Sequence, residues 1–341
     1  MFPRIIDIAK AAEVSPAAVS LALNNKDGVS TGVRQKIIDI ALNMGYQTAF
    51  TEQHRIIKEN ITIRLLKIAK HGHIINERHN AFITEYMEGI ETVAKLRKYK
   101  LEVSFFNKAP IEDIIAAQRR VNVDGFIVLG TELLAHELDL FNELPRPIVF
   151  IDTYFPLAAY DCVDMDNVDG VFRSIQHLYR SGHRSIGLVK SRYETRNFKV
   201  RETGFREAME YFSLPVQENF IVGVDPAFDN SVNDMNRFLD KHKNLPTAFF
   251  CMNDIIAYGC IRALRDHEKK IPDDISVIGF DDLPSSCYTE PSLTSIRVST
   301  RQIGQRALER LAERIAGMSG NKPETILVAG NLIERGSVKT I

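Results

Sequence analysis

The sequence predicts two unlike parts: an all-α helix-turn-helix module and a larger α/β core built on parallel sheet. Three observations carry this. Residues 1–48 place apolar residues at helical spacing. From residue 63, short apolar runs alternate with longer amphipathic stretches. Between the two, "QTAFTEQHRIIKENIT" is polar and mixed in charge, the composition of a linker.

In the first part, "IIDIAKAA" is a short amphipathic helix. "GVSTGVRQKIIDIALNMGY" is another, with Ile37, Ile38, Ala41 and Leu42 on one face. Ser30 suits its N-cap and Gly45 its end. Residues 5–24 read as helix, tight connection, helix. Ala9 and Val14 bracket the turn, and Val19 packs back on the first helix. Ser15 fits the N-cap and Pro16 the first helical position, where its missing N–H costs nothing. This outline fits a DNA-reading module whose second helix, here 16–24, enters the major groove. It fits a small protein-binding three-helix module about as well.

In the second part the expected strands are "IRLLKIA", "LEVSFF", "GFIVLG", "PIVFID", "SIGLVK", "TAFFCM" and "SVIGFDD". The helices between them include "FITEYMEGIETVAKLRKY", "GVFRSIQHLYRSG", "RETGFREAMEYF" and "DIIAYGCIRALRD". Continuous apolar strands alternating with helices imply a parallel sheet covered on both faces. Ligands of such sheets bind at the strand carboxyl ends. Polar residues stand there: Asp152 after "IVFI", Asn253 and Asp254 after "FFCM", Asp281 and Asp282 after "VIGF".

The formal net charge of −1 over 341 residues excludes a polycation, so any contact with nucleic acid must be local. Cys162, Cys251, Cys260 and Cys287 form no C-x-x-C pair and read as reduced thiols of a cytoplasmic protein. The N-terminus lacks the apolar stretch of a secretory signal, and no apolar run is long enough to span a membrane.

Residues 5–46, through "DIAKAAEVSPAAVSLALN" and "VSTGVRQKIIDIALNMGY", resemble the lactose-repressor (LacI/GalR) family of bacterial transcription regulators. The resemblance continues through "LYRSGHRSIGLV", "RETGFREAM", "PTAFFCMNDIIAYGCIRALRD" and "IPDDISVIGFDDLPSSCYTEPSLTSI", nearly the whole chain. It implies a homodimer that binds a palindromic operator. It also implies a hinge and a type I periplasmic-binding-protein-like core with a small effector in its cleft. The expected divisions are a headpiece at 1–48, a hinge at 49–62 and a core at 63–341. Within the core, one lobe takes about 63–162 plus 292–325, the other about 163–291 plus 326–341.

The DNA-reading part departs from the family pattern. Threonine is usual in the slot of Ala18, and arginine in that of Leu21. Their absence removes a hydroxyl and a strong guanine or phosphate donor. The variable base-reading slots fall on Pro16 and Ala17, neither with a polar side chain. Readout is therefore assigned to Ser15, Ser20, Asn24 and Asn25, to apolar contact from Ala17 and Leu21, and to Arg4 and Arg34. Five basic residues stand against four acids in 1–48. The family's Pro-Asn after Gly-Tyr is Gln47-Thr48 here, and Arg55 occupies the slot of a minor-groove leucine. Arg55 suits a narrow A·T-rich groove, or the segment is a plain linker. The expected operator has an A·T-leaning centre and is read less sharply than is usual.

For the effector, the resemblance assigns Arg201, Asn253, Asp281 and Asp152 to the cleft. Paired Asp and Arg suit a polyhydroxylated, carbohydrate-like ligand. Phe82 and Phe228 are candidates to stack on a sugar ring, with core packing as the plainer role of each. Asp282 reads as structural. "KHGHIINERH" follows the first strand; it is a solvated loop or one whose His73 meets an acidic ligand. His71, His73 and His79 lack the further ligands of a metal site, so neither metal nor other cofactor is expected. No G-x-S-x-G elbow, P-loop or G-x-G-x-x-G after a strand is present, so no enzyme is expected. The alternative to a repressor is a sugar-binding sensory protein with a degenerate headpiece.

Overall fold

A computed structural model describes residues 4–24, 26, 28–44, 61–71, 80–318 and 322–341. Asn25, Gly45, Arg55, His73 and the side chain of Leu42 lie outside the described residues. The chain divides into two compact units, Met1–Ile61 and Thr62–Ile341.

The first unit holds α1 (Ile5–Ala12), α2 (Pro16–Leu23) and α3 (Thr31–Asn43). Its core gathers Ile8, Ala9, Ala12, Val19, Ala22, Leu23, Ile37 and Ala41. Glu13 makes the turn after α1 in the left-handed region, at φ 59°, and the Val14 amide bonds back to the Ala9 carbonyl at 3.0 Å. Ser15 caps α2, its hydroxyl accepting from the Ala18 amide at 3.1 Å.

The second unit holds two six-stranded sheets. The first contains β1 (Thr62–Ala69), β2 (Lys100–Asn107), β3 (Gly125–Leu129), β4 (Ile148–Ile151), β5 (Asp161–Met165) and β11 (Thr325–Val328). The second contains β6 (Ile186–Ser191), β7 (Ile221–Val224), β8 (Ala248–Cys251), β9 (Ser276–Asp281), β10 (Thr294–Arg297) and β12 (Asn331–Ile333). Helices α4 (Asn80–Arg97), α5 (Ile111–Gln118) and α10 (Thr300–Ile315) belong to the first lobe. Helices α6 (Asn167–Arg180), α7 (Arg196–Tyr211), α8 (Phe228–Lys241) and α9 (Asp254–Asp266) belong to the second.

The strand orders match: β11-β5-β4-β3-β1-β2 and β12-β10-β9-β8-β6-β7. Each lobe therefore repeats one plan, with β4 and β9 in equivalent places. Only the outermost addition differs, since β11 pairs parallel and β12 antiparallel. β3, β4, β8 and β9 are buried along their whole length, as strands covered on both faces must be.

The lobe boundaries need correction. The chain changes sheets after Met165, Arg297 and Val328, not near 162, 291 and 325. "TSIR" is a strand of the second sheet, pairing Thr294–Arg297 with Ile278–Asp281. The strand is only four residues long and mostly polar, so it carries no apolar run. β11 likewise stays with the first sheet through Val328.

Helices α4 and α10 lie in backbone contact. A Cβ on Gly89 would sit 2.1 Å from the Arg301 carbonyl oxygen, and one on Gly304 2.2 Å from that of Tyr86. Gly204 holds the equivalent position on α7, but a Cβ there would meet nothing nearer than 3.6 Å. Gly89→Ala should therefore lower stability by about 1–3 kcal/mol in urea unfolding, because carbonyl oxygens cannot rotate away. Gly204→Ala should instead be neutral or stabilising by up to about 1 kcal/mol.

Candidate functional site

The carboxyl ends of β4 and β9 face one cleft between the lobes. Each delivers an aspartate in a positive-φ conformation: Asp152 at φ 61° and Asp281 at φ 109°. Non-glycine residues hold such angles at a cost of order 1–3 kcal/mol, so something must keep them there. In the first lobe the Tyr86 hydroxyl donates to Asp152 Oδ1 at 3.0 Å. In the second, Arg201 Nη2 donates to Asp281 Oδ1 at 3.3 Å. Tyr86 and Arg201 are equivalent too. Each lies on the helix after its lobe's first strand, three residues before Gly89 or Gly204.

The two lobes also hold each other. Asn197 Nδ2 on α7 donates to the Asp152 carbonyl at 3.0 Å and to its carboxylate at 3.2 Å. Arg196 Nε donates to the Tyr154 carbonyl at 3.0 Å, and its guanidinium stacks 4.8 Å from the Tyr154 ring. The remaining cavity is about 50 Å³, lined by Phe82, Thr131, Asp152, Met165, Asn197, Arg201, Asn253 and Asp281 among others. Phe82 and Asp281 also line a neighbouring cavity of about 70 Å³, so the Phe82 ring partitions the cleft.

Arg201 is fully engaged. Its Nε donates to Asn167 Oδ1 at 2.8 Å and Nη1 to the Met252 carbonyl at 2.6 Å. Nη2 reaches Met165 Sδ at 2.9 Å as well as Asp281, and the plane lies 3.8 Å from the Phe280 ring centre. Asn253 caps α9 by accepting from the Ile256 amide at 2.9 Å, and lines the cavity as well. Asp282 is structural, paired with Arg297 and Arg335, each at 2.7 Å.

Burial sets the electrostatics. It pushes the Asp152 carboxyl up to about 6, against bonds from Thr131 and Tyr86 and the charge of Arg201. Asp164, on β5, is raised well above the usual range by burial and by Asp152. Asp254 is pushed up to about 7 by burial and by Asp281, although Ser286, Ser295 and the Leu283 amide all donate to it.

Phe82, Asp152, Arg201, Asn253 and Asp281 thus line one cavity. Phe228 does not line the cavity. It opens α8 after β7, an edge strand, away from the central strands that supply Asn253 and Asp281. His73 and His79 lie outside the described residues. Tyr86, Thr131, Asp164 and Asn197 were missed. Tyr86 could have been found, since it falls one helical turn after Phe82 in "FITEY" and so shares its face.

In the first unit, α2 buries Val19, Ala22 and Leu23. It leaves Pro16 and Ala17 exposed and Ser20 and Leu21 half-buried; Ser15 and Asn24 are exposed at its two ends. Asn24 Nδ2 donates to the Ser20 carbonyl at 2.8 Å, so its amide closes the helix end. Arg34, expected as a DNA contact, also serves the fold as a cap. Its guanidinium reaches the Leu21 and Ala22 carbonyls at 3.4 and 3.3 Å, and also bonds the Lys26 carbonyl. Arg4 caps α1 through its amide, which donates to Asp7 at 2.8 Å, while its side chain is exposed.

Residues 4–49 match the family model "Bacterial regulatory proteins, lacI family", and residues 175–338 match "Periplasmic binding protein-like domain". The HTH-type transcriptional repressor PurR of Actinobacillus pleuropneumoniae serotype 3 is 30% identical over 340 residues, covering 99% of this chain and 98% of its own. A transcriptional regulator CelR–cellobiose complex superposes with a TM-score of 0.73 at 22% identity, over 98% of this chain and 99% of that one. The lac repressor dimer bound to operator and the anti-inducer ONPF gives 0.71 at 21% identity, over 99% and 100%.

Asp254 makes the stability of the protein depend on pH. Its folded value near 7 exceeds the ordinary 3.8, so between roughly pH 4 and 7 the native state keeps a proton that the unfolded chain releases. Stability from this group falls as pH rises through that window and levels off above it. Asp254→Asn cannot titrate. The variant should gain on the parent with rising pH, by a ceiling on the order of 4 kcal/mol, in urea unfolding at pH 4.5 and 8. A constant difference between the two proteins would contradict it.

Proposed function

The chain belongs to the lacI family of bacterial regulatory proteins, and we propose that a small, carbohydrate-like effector in the interlobe cleft sets its grip on operator DNA as a transcriptional repressor. The observation that carries the effector reading is the paired strand-end aspartates, Asp152 and Asp281, facing one cavity from equivalent places in two lobes. Carboxylates so placed hold a polyhydroxylated molecule from both sides. The cellobiose complex and the ligand-bound lac repressor support the assignment by likeness. The protein acts in the cytoplasm as a homodimer, each headpiece docking half of a palindromic operator. The relatives are regulators, and the cleft is read accordingly as one that binds its ligand without turnover.

The cavity of about 50 Å³ is a fraction of the roughly 300 Å³ or more of a ligand pocket. Admission therefore requires the lobes to part, breaking the Asn197–Asp152 and Arg196–Tyr154 bonds. The ligand shifts operator affinity only insofar as it binds the two lobe arrangements unequally. On the DNA side, Ser15, Ser20, Pro16, Ala17, Leu21 and Asn24 present the readable face, with Arg4, Asn25 and Arg55 as further contacts.

Gel-shift titrations over a range of salt test the repressor reading. The DNA upstream of the protein's own gene should be preferred over a random duplex of equal length, and the preference should persist as salt weakens both. Equal binding at every salt concentration would overturn operator recognition and leave the sensory protein with a degenerate headpiece.

A further inference from the structure

Resting on the reading of the cleft as the effector site, we propose that the effector carries a protonated amino group, seated between Asp152 and Asp281. Most of the donors that border the cavity already serve the protein. Within the first lobe, the Thr131 and Tyr86 hydroxyls donate to Asp152, whereas the Asn197 amide reaches it from the second lobe and is released when the lobes part. Arg201 gives Nε to Asn167, Nη1 to the Met252 carbonyl and Nη2 to Met165 and Asp281. What the described residues leave for a ligand is chiefly acceptor capacity, since each carboxylate offers about four lone-pair sites.

Charge points the same way. Two buried aspartates line this place, Asp152 and Asp281, and two more buried ones stand behind them, Asp164 acting on Asp152 and Asp254 on Asp281. Among the described residues, Arg201 is the one buried cation set against them, and it is 3% exposed. Asp254 is satisfied by three protein donors. Asp164 is not: it is 0% exposed, and its Oδ2 has no hydrogen-bond partner among the described residues. A phosphate or carboxylate brought here would meet acceptors and like charge. A neutral polyol would supply donors but no charge. An ammonium group supplies three donors and the missing positive charge together.

Matched probes test this by calorimetry on the full-length wild-type protein. The pairs are D-glucosamine with D-glucose, D-galactosamine with D-galactose, and ethanolamine with ethylene glycol. N-acetyl-D-glucosamine is the uncharged control, and D-glucose 6-phosphate the anionic one. At least one amine should bind about tenfold or more tightly than its hydroxyl counterpart, as a charge-assisted bond requires. N-acetylation should abolish the advantage, and the phosphate should not bind. Asp152→Asn and Asp281→Asn should each weaken the amine about tenfold or more, with melting temperature as the check on folding.

The proposal is overturned if no amine binds, or if a hydroxyl, acetylated or phosphorylated probe binds as tightly as its amine. The cleft assignment fails separately. If a probe binds and both folded variants bind it unchanged, the site itself is misplaced. If a neutral or anionic probe binds and Asp281→Asn abolishes it, the site stands and the amine does not.

Discussion

The core depends on one arrangement used twice: a strand-end aspartate in a positive-φ conformation, bonded by a side chain from the helix after its lobe's first strand. Tyr86 holds Asp152 and Arg201 holds Asp281. Neither aspartate could keep that backbone, or its buried place in the cleft, without a partner. The two partners differ in chemistry. A phenol donates without neutralising, so Asp152 stays protonatable near neutrality. An arginine neutralises as well as donates. One plan thus produces a cleft whose halves match in shape but not in charge.

That asymmetry explains why Arg201 is a part of the wall before it is a contact for any ligand. Its guanidinium is bounded by Asn167, Met252, Met165, Asp281 and the Phe280 face. Arginine's planar fork suits such a site, because it is satisfied on its edges and packed on its face. The same logic operates in the headpiece, where Arg34 satisfies carbonyls at the end of α2. In both places a basic residue that sequence assigns to a partner is first engaged by the fold.

Most of the fold was legible because its strands are buried on both faces and read as unbroken apolar runs, as in "GFIVL" and "AFFC". What was not legible has a common cause. β5, "DCVDM", carries acids, and β10, "TSIR", is short and polar, yet the sheets bury both. Their burial is supplied by partners far away in sequence: Arg310 and Arg314 on Asp161, and Asp254 on Ser295. At the cleft, Asp152, Asn253 and Asp281 were legible as polar residues at strand ends, whereas Tyr86, Thr131 and Asn197 stand out only through the bonds they make to Asp152. A strand end announces itself locally, but the direction of a helical side chain depends on packing. Phe228 failed for a related reason, since only the sheet order places β7 at an edge.

The backbone contact of α4 with α10 has a consequence for the order in which the chain can fold. The second lobe is nearly one continuous stretch, β6 through β10, and can gather its core as it leaves the ribosome. The first lobe begins at β1 but is closed by a helix more than two hundred residues later, at Thr300–Ile315. Until that helix is made, the groove beside Gly89 and the inner face of β3 at Gly125 stay uncovered. The earlier-synthesised lobe is therefore the later one to finish, and its uncovered surface is what a chaperone or a protease would meet on a nascent chain.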